Sequence, residues 1–338
     1  MSFWTDNSAA PSWWHIVLPK TPRFLRTGRA KLPECPYTIR RASVAQAAPL
    51  AAFLTAHYGG DDWYLDAEPE WLSTYLRDPT VYVLAAHDAE FNILATIFST
   101  PAGRTYMSHG AILQELRVIE GLCVAPALRS KGVAGQMIAA MDYYTSDNGP
   151  VAHIWSRELP YAPPLSTAAQ VSTYAYINCK NAQARAAVSR ASWEDLQHLW
   201  AVHRVRALGG AAAIVLEEPH ARRGDLEVWR AVYNDVTHVV VVTHTRRRTR
   251  ATHEPIYEVV WCGAHIAAAT HMKLCLESVA AQYTGLLFVS SVRHGGGADS
   301  SWEFPWVYGT SGAHAWYLYN YIPPAFGSCE LHAIREEL

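Results

Sequence analysis

Apolar and polar positions follow two different periods in the first half of the chain, and together they predict a mixed α/β domain. Helical spacing of apolar residues predicts helices over 43–58 and 69–76, and a third over 129–145 that opens at a glycine. Short apolar runs bounded by turn residues predict strands over 81–86, 93–99, 116–124 and 151–155. Helices and strands in this order are typical of a mixed α/β fold.

The second half predicts a similar plan. Helices are predicted over 227–232 and 265–282, and strands over 236–243, 256–261, 285–291 and 315–321. We therefore divide the chain into an irregular arm over 1–36, a first domain over 37–195 and a second domain over 196–338. The run Arg246, Arg247, Arg248 and Arg250 lies between two predicted strands, and we interpret it as a solvated loop rather than a phosphate site.

Composition and charge narrow the class of protein. Hydrophobic residues make up 50% and charged residues 17% of the 338 residues, which is typical of a globular chain. With a net charge of -2, no overall field recruits nucleic acid or an anionic membrane. No apolar run reaches membrane-spanning length and no secretory leader is visible. We therefore expect a cytoplasmic protein with reduced cysteines and no stable membrane insertion. We also expect a monomer.

The segment 122–134 predicts a phosphate-binding loop, because a strand ends there, a short loop follows and a helix begins at Gly132. The first turn of a helix leaves backbone N–H groups unpaired and carries partial positive charge, so it attracts phosphate. Gly132 and Ala134 are small enough for a pyrophosphate to approach the backbone, while Arg129 and Lys131 add positive charge. The alternative is an ordinary strand-turn-helix connection with a basic turn.

The spacing Arg-x-x-Gly-x-Ala after a strand resembles the pyrophosphate loop of the GNAT superfamily of acyl-CoA-dependent acyltransferases. The whole chain is similar, in collinear stretches, to one GNAT-related family, the protein N-myristoyltransferases. These stretches are Phe3-Trp4, His57-Tyr-Gly-Gly-Asp-Asp-Trp63, Pro69-Glu-Trp-Leu72, residues 93–101, Gly121-Leu-Cys-Val124, Leu128-Arg-Ser-Lys-Gly-Val-Ala134, Ser172-Thr173 with Tyr176, and Gly309 and Gly312 with Trp316-Tyr-Leu-Tyr-Asn-Tyr321.

This resemblance implies a fold and a reaction. The implied fold is α/β, with two fused GNAT-like acyltransferase domains in a pseudo-twofold arrangement. The implied reaction transfers a myristoyl group from the co-substrate myristoyl-CoA, without a metal, to the N-terminal glycine amine of acceptor proteins. Two alternatives stay open: a GNAT-fold N-acyltransferase with another acyl chain or a small-amine acceptor, and a non-catalytic acyl-CoA-binding homologue. Histidine spacing also gives no sign of a metal, since His265 and His271 are six residues apart and a zinc-protease helix needs histidines four residues apart.

The resemblance also assigns roles to individual residues. The backbone N–H groups of Gly121 and Leu122 are expected to form an oxyanion hole, the α-carboxylate of Leu338 to act as base, and the Ser156 hydroxyl to lie near the amine. The expected cofactor-binding residues are Phe3, Trp4, Leu122, Cys123, Val124, Arg129, Ser130, Lys131, Gly132, Val133 and Ala134. The expected acceptor-binding residues are Asp61, Asp62, Tyr176, Asn178, Ser311, Gly312, Tyr317 and Tyr319.

By the same resemblance, the arm 1–36 lies over the CoA site, the first domain binds acyl-CoA, and the second forms the acceptor groove and supplies the terminal carboxylate. The chain departs from the family mainly on the acceptor side. Glu120 stands where the family has asparagine, Asn178 stands where it has histidine, and 311–313 lacks the family's acidic loop. The C-terminal tail is also longer, so Glu336 or Glu337 is an alternative to the terminal carboxylate.

Overall fold

The computed structural model describes residues 23–24, 31–101, 105–107, 112–113, 116–147, 149, 151–158, 171–208, 213–216, 226–264, 269–290, 312–319, 321–322 and 330–333. Within these ranges the chain forms helices and strands that are mixed along the sequence, and the strands assemble into one large sheet and two small ones. The predicted α/β class is therefore confirmed.

The first half follows the predicted order of elements closely. Its strands are β1 (Arg23–Phe24), β2 (Thr38–Arg41), β3 (Trp63–Leu65), β4 (Tyr82–His87), β5 (Ile93–Pro101), β6 (Thr105–Met107), β7 (Ile112–Leu113), β8 (Leu116–Val124) and β9 (Ala152–Glu158). Its helices are α1 (Ala47–His57), α2 (Pro69–Arg77) and α3 (Val133–Thr145), with 3-10 turns at Val44–Gln46 and Pro126–Leu128.

The second half contains more strands than the sequence predicts. They are β10 (Val171–Asn178), β11 (Ala187–Arg190), β12 (Ala213–Leu216), β13 (Leu226–Tyr233), β14 (Val236–Thr249), β15 (Pro255–Ala264), β16 (Leu286–Ser290), β17 (Gly312–Tyr319), β18 (Tyr321–Ile322) and β19 (Glu330–Ala333). The helices are α4 (Trp193–Leu208) and α5 (Ala269–Ala280), with a 3-10 turn at Cys179–Asn181.

The large sheet contains the same arrangement twice. On one side the strand order is β2-β4-β5-β8-β9, and on the other it is β11-β13-β14-β15-β16. In each set the first three pairs are antiparallel and the last pair is parallel. Helix α3 connects the parallel pair β8 and β9, and α5 connects the parallel pair β15 and β16. The two halves therefore share one plan.

The halves exchange a strand where they meet. Strand β10 follows β9 in the chain but pairs with β16, while β17 follows β16 but pairs with β9. Strands β10 and β17 also pair with each other, antiparallel. An antiparallel pair at the centre of two equivalent halves has the symmetry of a twofold axis. The exchange makes one continuous sheet out of two repeated units.

Both faces of each half are covered by helices. In the first half, α1 and α2 pack on one face around Leu50, Leu72 and Phe98, and α3 packs on the other around Ile97 and Met137. In the second half, α5 covers one face and α4 the other. The apolar face of each helix is thus buried against the sheet, which is the arrangement that the α/β pattern predicts.

One predicted helix is wrong: residues 227–232 belong to strand β13. Val228 and Trp229 are buried in this strand while Arg230 is exposed. Strand β13 pairs with β14 along its whole length and with β11 on its other edge. Pairing on both edges supplies its backbone hydrogen bonds, so tertiary context overrides an ambiguous short apolar pattern.

Three of the four arginines of the run are also not in a loop, because Arg246, Arg247 and Arg248 lie in β14, and Arg250 lies in the turn that follows it. Arg248 Nε donates to a carboxylate oxygen of Asp66 at 2.7 Å, and Arg246 Nη1 lies 3.2 Å from a carboxylate oxygen of Glu68. Both acidic residues follow β3, which pairs with this end of β14. The arginines therefore attach a segment of the first half to the sheet of the second. The proposed division at residue 195 lies in the first turn of α4 and stays a proposal.

Candidate functional site

The β5–β8 pair contains a β-bulge at the predicted oxyanion hole. The register shifts between Thr96 and Phe98 of β5, so that Gly121 and Leu122 of β8 together lie opposite one residue of β5. A bulge leaves its extra residue outside the ladder of backbone hydrogen bonds. Backbone N–H groups released in this way are the donors that an oxyanion hole needs.

The bulge depends on glycine at position 121. Gly121 has a φ of +55°, in the left-handed region that side chains other than glycine rarely adopt. A Cβ atom at this position would lie 2.3 Å from Cδ2 of the buried Phe98 ring. The Thr96 hydroxyl donates to the Gly121 carbonyl oxygen at 3.0 Å, and this holds the peptide in its turned orientation.

Beyond the bulge, the sheet opens between two parallel strands. Strands β8 and β9 pair only through Leu116, Arg117 and Val118. Both strands are described over their full length, and in them residues 119–124 of β8 have no partner on β9. The bulge therefore lies beside a gap in the sheet, at the end of β8 from which the chain enters α3. A gap of this kind lets an extended ligand reach backbone N–H groups of a strand.

The predicted phosphate loop lies at the same end. Gly132 is the N-cap of α3 with a φ of +81°, and a Cβ atom there would meet nothing within 4 Å. Among the described residues no side chain caps this helix. Ser130 also has a positive φ, of 62°. The helix therefore presents its first backbone N–H groups to open space, where an anion is stabilised.

The two basic residues of the loop differ in what they contact. Arg129 is exposed, and its guanidinium donates to the Val124 carbonyl oxygen and to the His57 carbonyl oxygen, both at 3.2 Å. Lys131 is exposed, and its backbone N–H donates to the Leu128 carbonyl oxygen at 3.3 Å. Arg129 thus joins the loop to the end of α1, where the segment containing Asp61 and Asp62 begins.

A buried carboxylate lies immediately before the bulge. Glu120 is 8% exposed, and one of its carboxylate oxygens accepts a hydrogen bond from the Thr100 hydroxyl at 2.8 Å. Glu120 pairs with Phe98, the residue that contacts Gly121. In the sequence, Glu120 stands out only as a departure from the family pattern. The position of its buried carboxylate beside the bulge can be seen only once the register of β5 and β8 is known. An acidic residue directly before the Gly121-Leu122 pair is the signal that could have identified it.

Cys123 is one of the predicted cofactor-binding residues, but its thiol is not reactive. It is 3% exposed, and burial raises the pKa of the thiol to about 12. The thiolate needed for nucleophilic attack is therefore absent at neutral pH. Val133 is buried as well, whereas Leu122, Val124 and Ala134 are half-buried.

In the arm, the structure describes residues 23–24, which form β1, and residues 31–36, which approach α3. The Gln136 side-chain amide of α3 donates to the Glu34 carbonyl oxygen at 3.5 Å. Cys35 and Tyr37 pack against the apolar cluster under α3. This part of the arm therefore runs beside the helix that begins at the phosphate loop. Its predicted role over a CoA site is not tested and stays a proposal.

The side chains of four predicted acceptor-binding residues are described. Asp61 and Asp62 are exposed in the turn before β3, and the Asp62 carbonyl oxygen accepts from the Arg250 backbone N–H at 2.8 Å. Asn178 has a local contact, since its side-chain oxygen accepts from the Lys180 backbone N–H at 3.0 Å. Tyr176 and Phe288 have ring centroids 5.3 Å apart on the neighbouring strands β10 and β16.

Several predicted site residues are described only by their backbone or not at all. Ser156 pairs with Trp316, and Tyr317 and Tyr319 lie on the same pair of strands, β9 and β17. Gly312 pairs with Tyr174 of β10. These residues are therefore brought together in the three central strands of the sheet. Four predicted residues lie outside the described residues: Phe3, Trp4, Ser311 and Leu338, as do the alternatives Glu336 and Glu337.

The described residues contain neither a cluster of metal-binding side chains nor a membrane-spanning helix. No group of three or more histidine, cysteine, aspartate or glutamate side chains there is arranged to hold a metal ion. In that same part of the chain, none of the helices combines the length and apolarity needed to cross a membrane.

Comparison with solved structures identifies the class of fold. The chain has the fold of the N-myristoyltransferase structures that it matches, and its two repeated halves agree with the two GNAT-like halves that the resemblance predicted. Three similar structures are Saccharomyces cerevisiae N-myristoyltransferase with bound myristoyl-CoA. One has a TM-score of 0.62, 11% identity and coverage of 94% of this chain and 92% of the other. A second, which also contains inhibitors, has a TM-score of 0.63, 11% identity and coverage of 98% and 91%.

The third has a TM-score of 0.61, 10% identity and coverage of 93% and 85%. At this level of identity the likeness concerns the fold. No protein-family model and no curated protein sequence matches the chain. The fold prediction is therefore confirmed by structure where sequence comparison alone finds no relative.

Proposed function

We propose that this protein is an acyl-CoA-dependent N-acyltransferase that transfers a myristoyl group from myristoyl-CoA to the N-terminal glycine amine of acceptor proteins. The observation that carries the proposal is the convergence of three features at one end of β8. These are the glycine bulge at Gly121, the gap between β8 and β9, and the uncapped start of α3. The similar solved structures, which contain myristoyl-CoA, support the choice of co-substrate.

Each feature serves one requirement of the reaction. The start of α3 and Lys131 would hold the phosphates of CoA, as helix N-termini do. The gap would admit the thioester arm, and the N–H groups of Gly121 and Leu122 would donate to the thioester oxygen as it becomes negative. The amine nitrogen then bonds to the carbonyl carbon, the C–S bond breaks, and the proton lost by the amine passes through a base to the CoA sulfur.

Two carboxylates are candidates for that base. The family resemblance favours the α-carboxylate of Leu338, and the Ser156 hydroxyl would then hydrogen-bond to the amine. The described residues favour Glu120, which is buried beside the bulge and accepts from Thr100. Substitution of each carboxylate separates them, since a general base contributes roughly 10²–10⁴-fold to the rate. The other proposals for this protein are a cytoplasmic location, a monomeric state and no nucleic-acid partner.

Calorimetry with myristoyl-CoA, acetyl-CoA and free CoA tests the co-substrate. We expect myristoyl-CoA to bind most tightly, because the acyl chain adds about 0.8 kcal/mol for each buried CH₂ group. A peptide with N-terminal glycine, and a control peptide that is acetylated at that glycine, then test the reaction by mass spectrometry. Transfer only to the free amine supports the proposal. Tight acetyl-CoA binding, or acylation of small amines but not the peptide, supports a different GNAT-type N-acyltransferase instead.

A further inference from the structure

A pair of histidines lies in the second half at the place equivalent to the phosphate loop. His238 is in β14, with alanines as its register partners on both sides, Ala231 and Ala264. His271 is the third residue of α5, and the two imidazole centroids are 6.4 Å apart. Helix α5 connects β15 to β16 as α3 connects β8 to β9, so the pair lies by the first turn of the equivalent helix.

Among the described residues, buried ring nitrogens of both imidazoles lack a hydrogen-bond partner. His238 is 0% exposed, and within the described part of the chain neither of its ring nitrogens has a hydrogen-bond partner. Nδ1 of His271 is buried and also lacks a partner there. Buried polar atoms are almost always paired, because an unpaired one destabilises the folded state. Two such histidines side by side indicate a ligand that supplies the missing partner.

The charge around the pair decides which kind of ligand fits. The first turn of α5 contains no acidic residue, and its leading N–H groups carry the partial positive charge of a helix N-terminus. A neutral imidazole offers an N–H donor, and protonation adds a second. The Tyr233 ring also lies against the pair, with its centroid 5.1 Å from that of His271. Each neutral imidazole also has a lone-pair nitrogen that a metal ion could bind, but the partial positive charge of the helix start disfavours a cation and stabilises an anion.

We propose that His238, His271 and the first turn of α5 bind a small oxyanion, either a phosphate or a carboxylate. This site is distinct from the phosphate loop of the first half, and it does not depend on the proposed acyl transfer. Burial, followed by the neighbouring His271, lowers the pKa of His238 to about 4, as expected for an imidazole without its counter-ion.

The test follows histidine ¹⁵N resonances of the full chain during titration with sodium phosphate and, separately, sodium acetate. The starting protein carries Arg129→Ala and Lys131→Ala, which weakens phosphate binding at the α3 loop. We expect saturable shifts of the His238 and His271 nitrogens with at least one anion. The anion that binds more tightly shows whether the site takes a phosphate or a carboxylate. His253, which is exposed and hydrogen-bonded to Tyr64, is the internal control whose resonances stay in place.

His271→Ala is the matched variant, because His271 is only half-buried and the change should leave the fold intact. The anion should bind about tenfold more weakly in it, the effect of losing one good hydrogen bond. The His238→Asn variant tests the other histidine of the site and keeps a polar side chain at that position. The proposal is overturned if neither anion shifts His238 and His271, if the His271→Ala variant binds as tightly, or if zinc shifts both histidines while the anions do not.

Discussion

Replacing Gly121 by alanine tests whether the bulge has the shape described here. The new Cβ atom would lie 2.3 Å from Cδ2 and 2.8 Å from Cε2 of Phe98, on a backbone with φ of +55°. Phe98 is wholly buried, and its ring packs edge-on against Tyr75 with centroids 6.0 Å apart. The ring therefore cannot move aside without disturbing the core between β5 and α2.

The expected loss of stability has two parts. Placing alanine in the left-handed region costs about 1–2 kcal/mol, and overpacking a well-packed core costs typically about 1–3 kcal/mol. Together they predict that Gly121→Ala lowers the free energy of unfolding by about 2–5 kcal/mol. A natural domain has about 5–15 kcal/mol of stability, so the variant should still fold at low temperature.

Gly132→Ala is the matched control, because Gly132 also has a positive φ, of +81°, but its Cβ would meet open space. This control should lose only the backbone part, about 1–2 kcal/mol. Urea unfolding followed by circular dichroism gives both values, and the difference isolates the contact with Phe98. Equal destabilisation in the two variants, or none in Gly121→Ala, would show that the bulge is not built as described.

Three further predictions concern the candidate site and its surroundings. Arg129→Ala combined with Lys131→Ala should weaken myristoyl-CoA binding in calorimetry by at least about tenfold, whereas unchanged affinity contradicts the phosphate loop. Extending the chain beyond Leu338 should lower kcat by roughly 10²–10⁴-fold if the terminal carboxylate is the base, and Glu120→Gln should do so if Glu120 is. Because the folded-state pKa of His238 is lowered from 6.5 to about 4, its contribution to stability is present above about pH 6.5 and lost as the pH falls through 4. His238→Leu should remove up to about 3 kcal/mol of that pH dependence in unfolding experiments, and an unchanged profile would contradict the burial of a neutral imidazole.

Most regular elements of the first half can be predicted from the sequence because local pattern and tertiary structure agree there. Strand β8 has the bounds that its apolar run predicts, and α3 begins after the predicted glycine. The strands missed, such as β2 and β3, are short and owe their form to pairing with distant segments. Residues 227–232 were wrongly predicted as a helix for the same reason, since only their partners β11 and β14 make them a strand.

The candidate site was predicted less completely than the fold. The loop 129–134 has a local pattern, so its position at the start of α3 follows from the sequence. The bulge has no local pattern, because it is a relation between β5 and β8 that appears only when the strands are paired. The position of Glu120 beside it was missed for that reason. The assignments to Leu338 and the acceptor side rest on family resemblance and stay predictions.

Comparison of the two halves explains why Gly121 matters. Strand β15 has a bulge like that of β8, since Val241 pairs with Trp261 and Val242 pairs with Val259, leaving Val260 as the extra residue. Val260 is not among the described residues with positive φ, so a bulge at this place does not require glycine. The left-handed turn at Gly121 is therefore not needed merely to add a residue to the strand. We propose that this turn directs a backbone N–H group of Gly121 or Leu122 toward the gap between β8 and β9. The equivalent bulge in the second half has Val260, and the helix that follows it has His271 in its first turn.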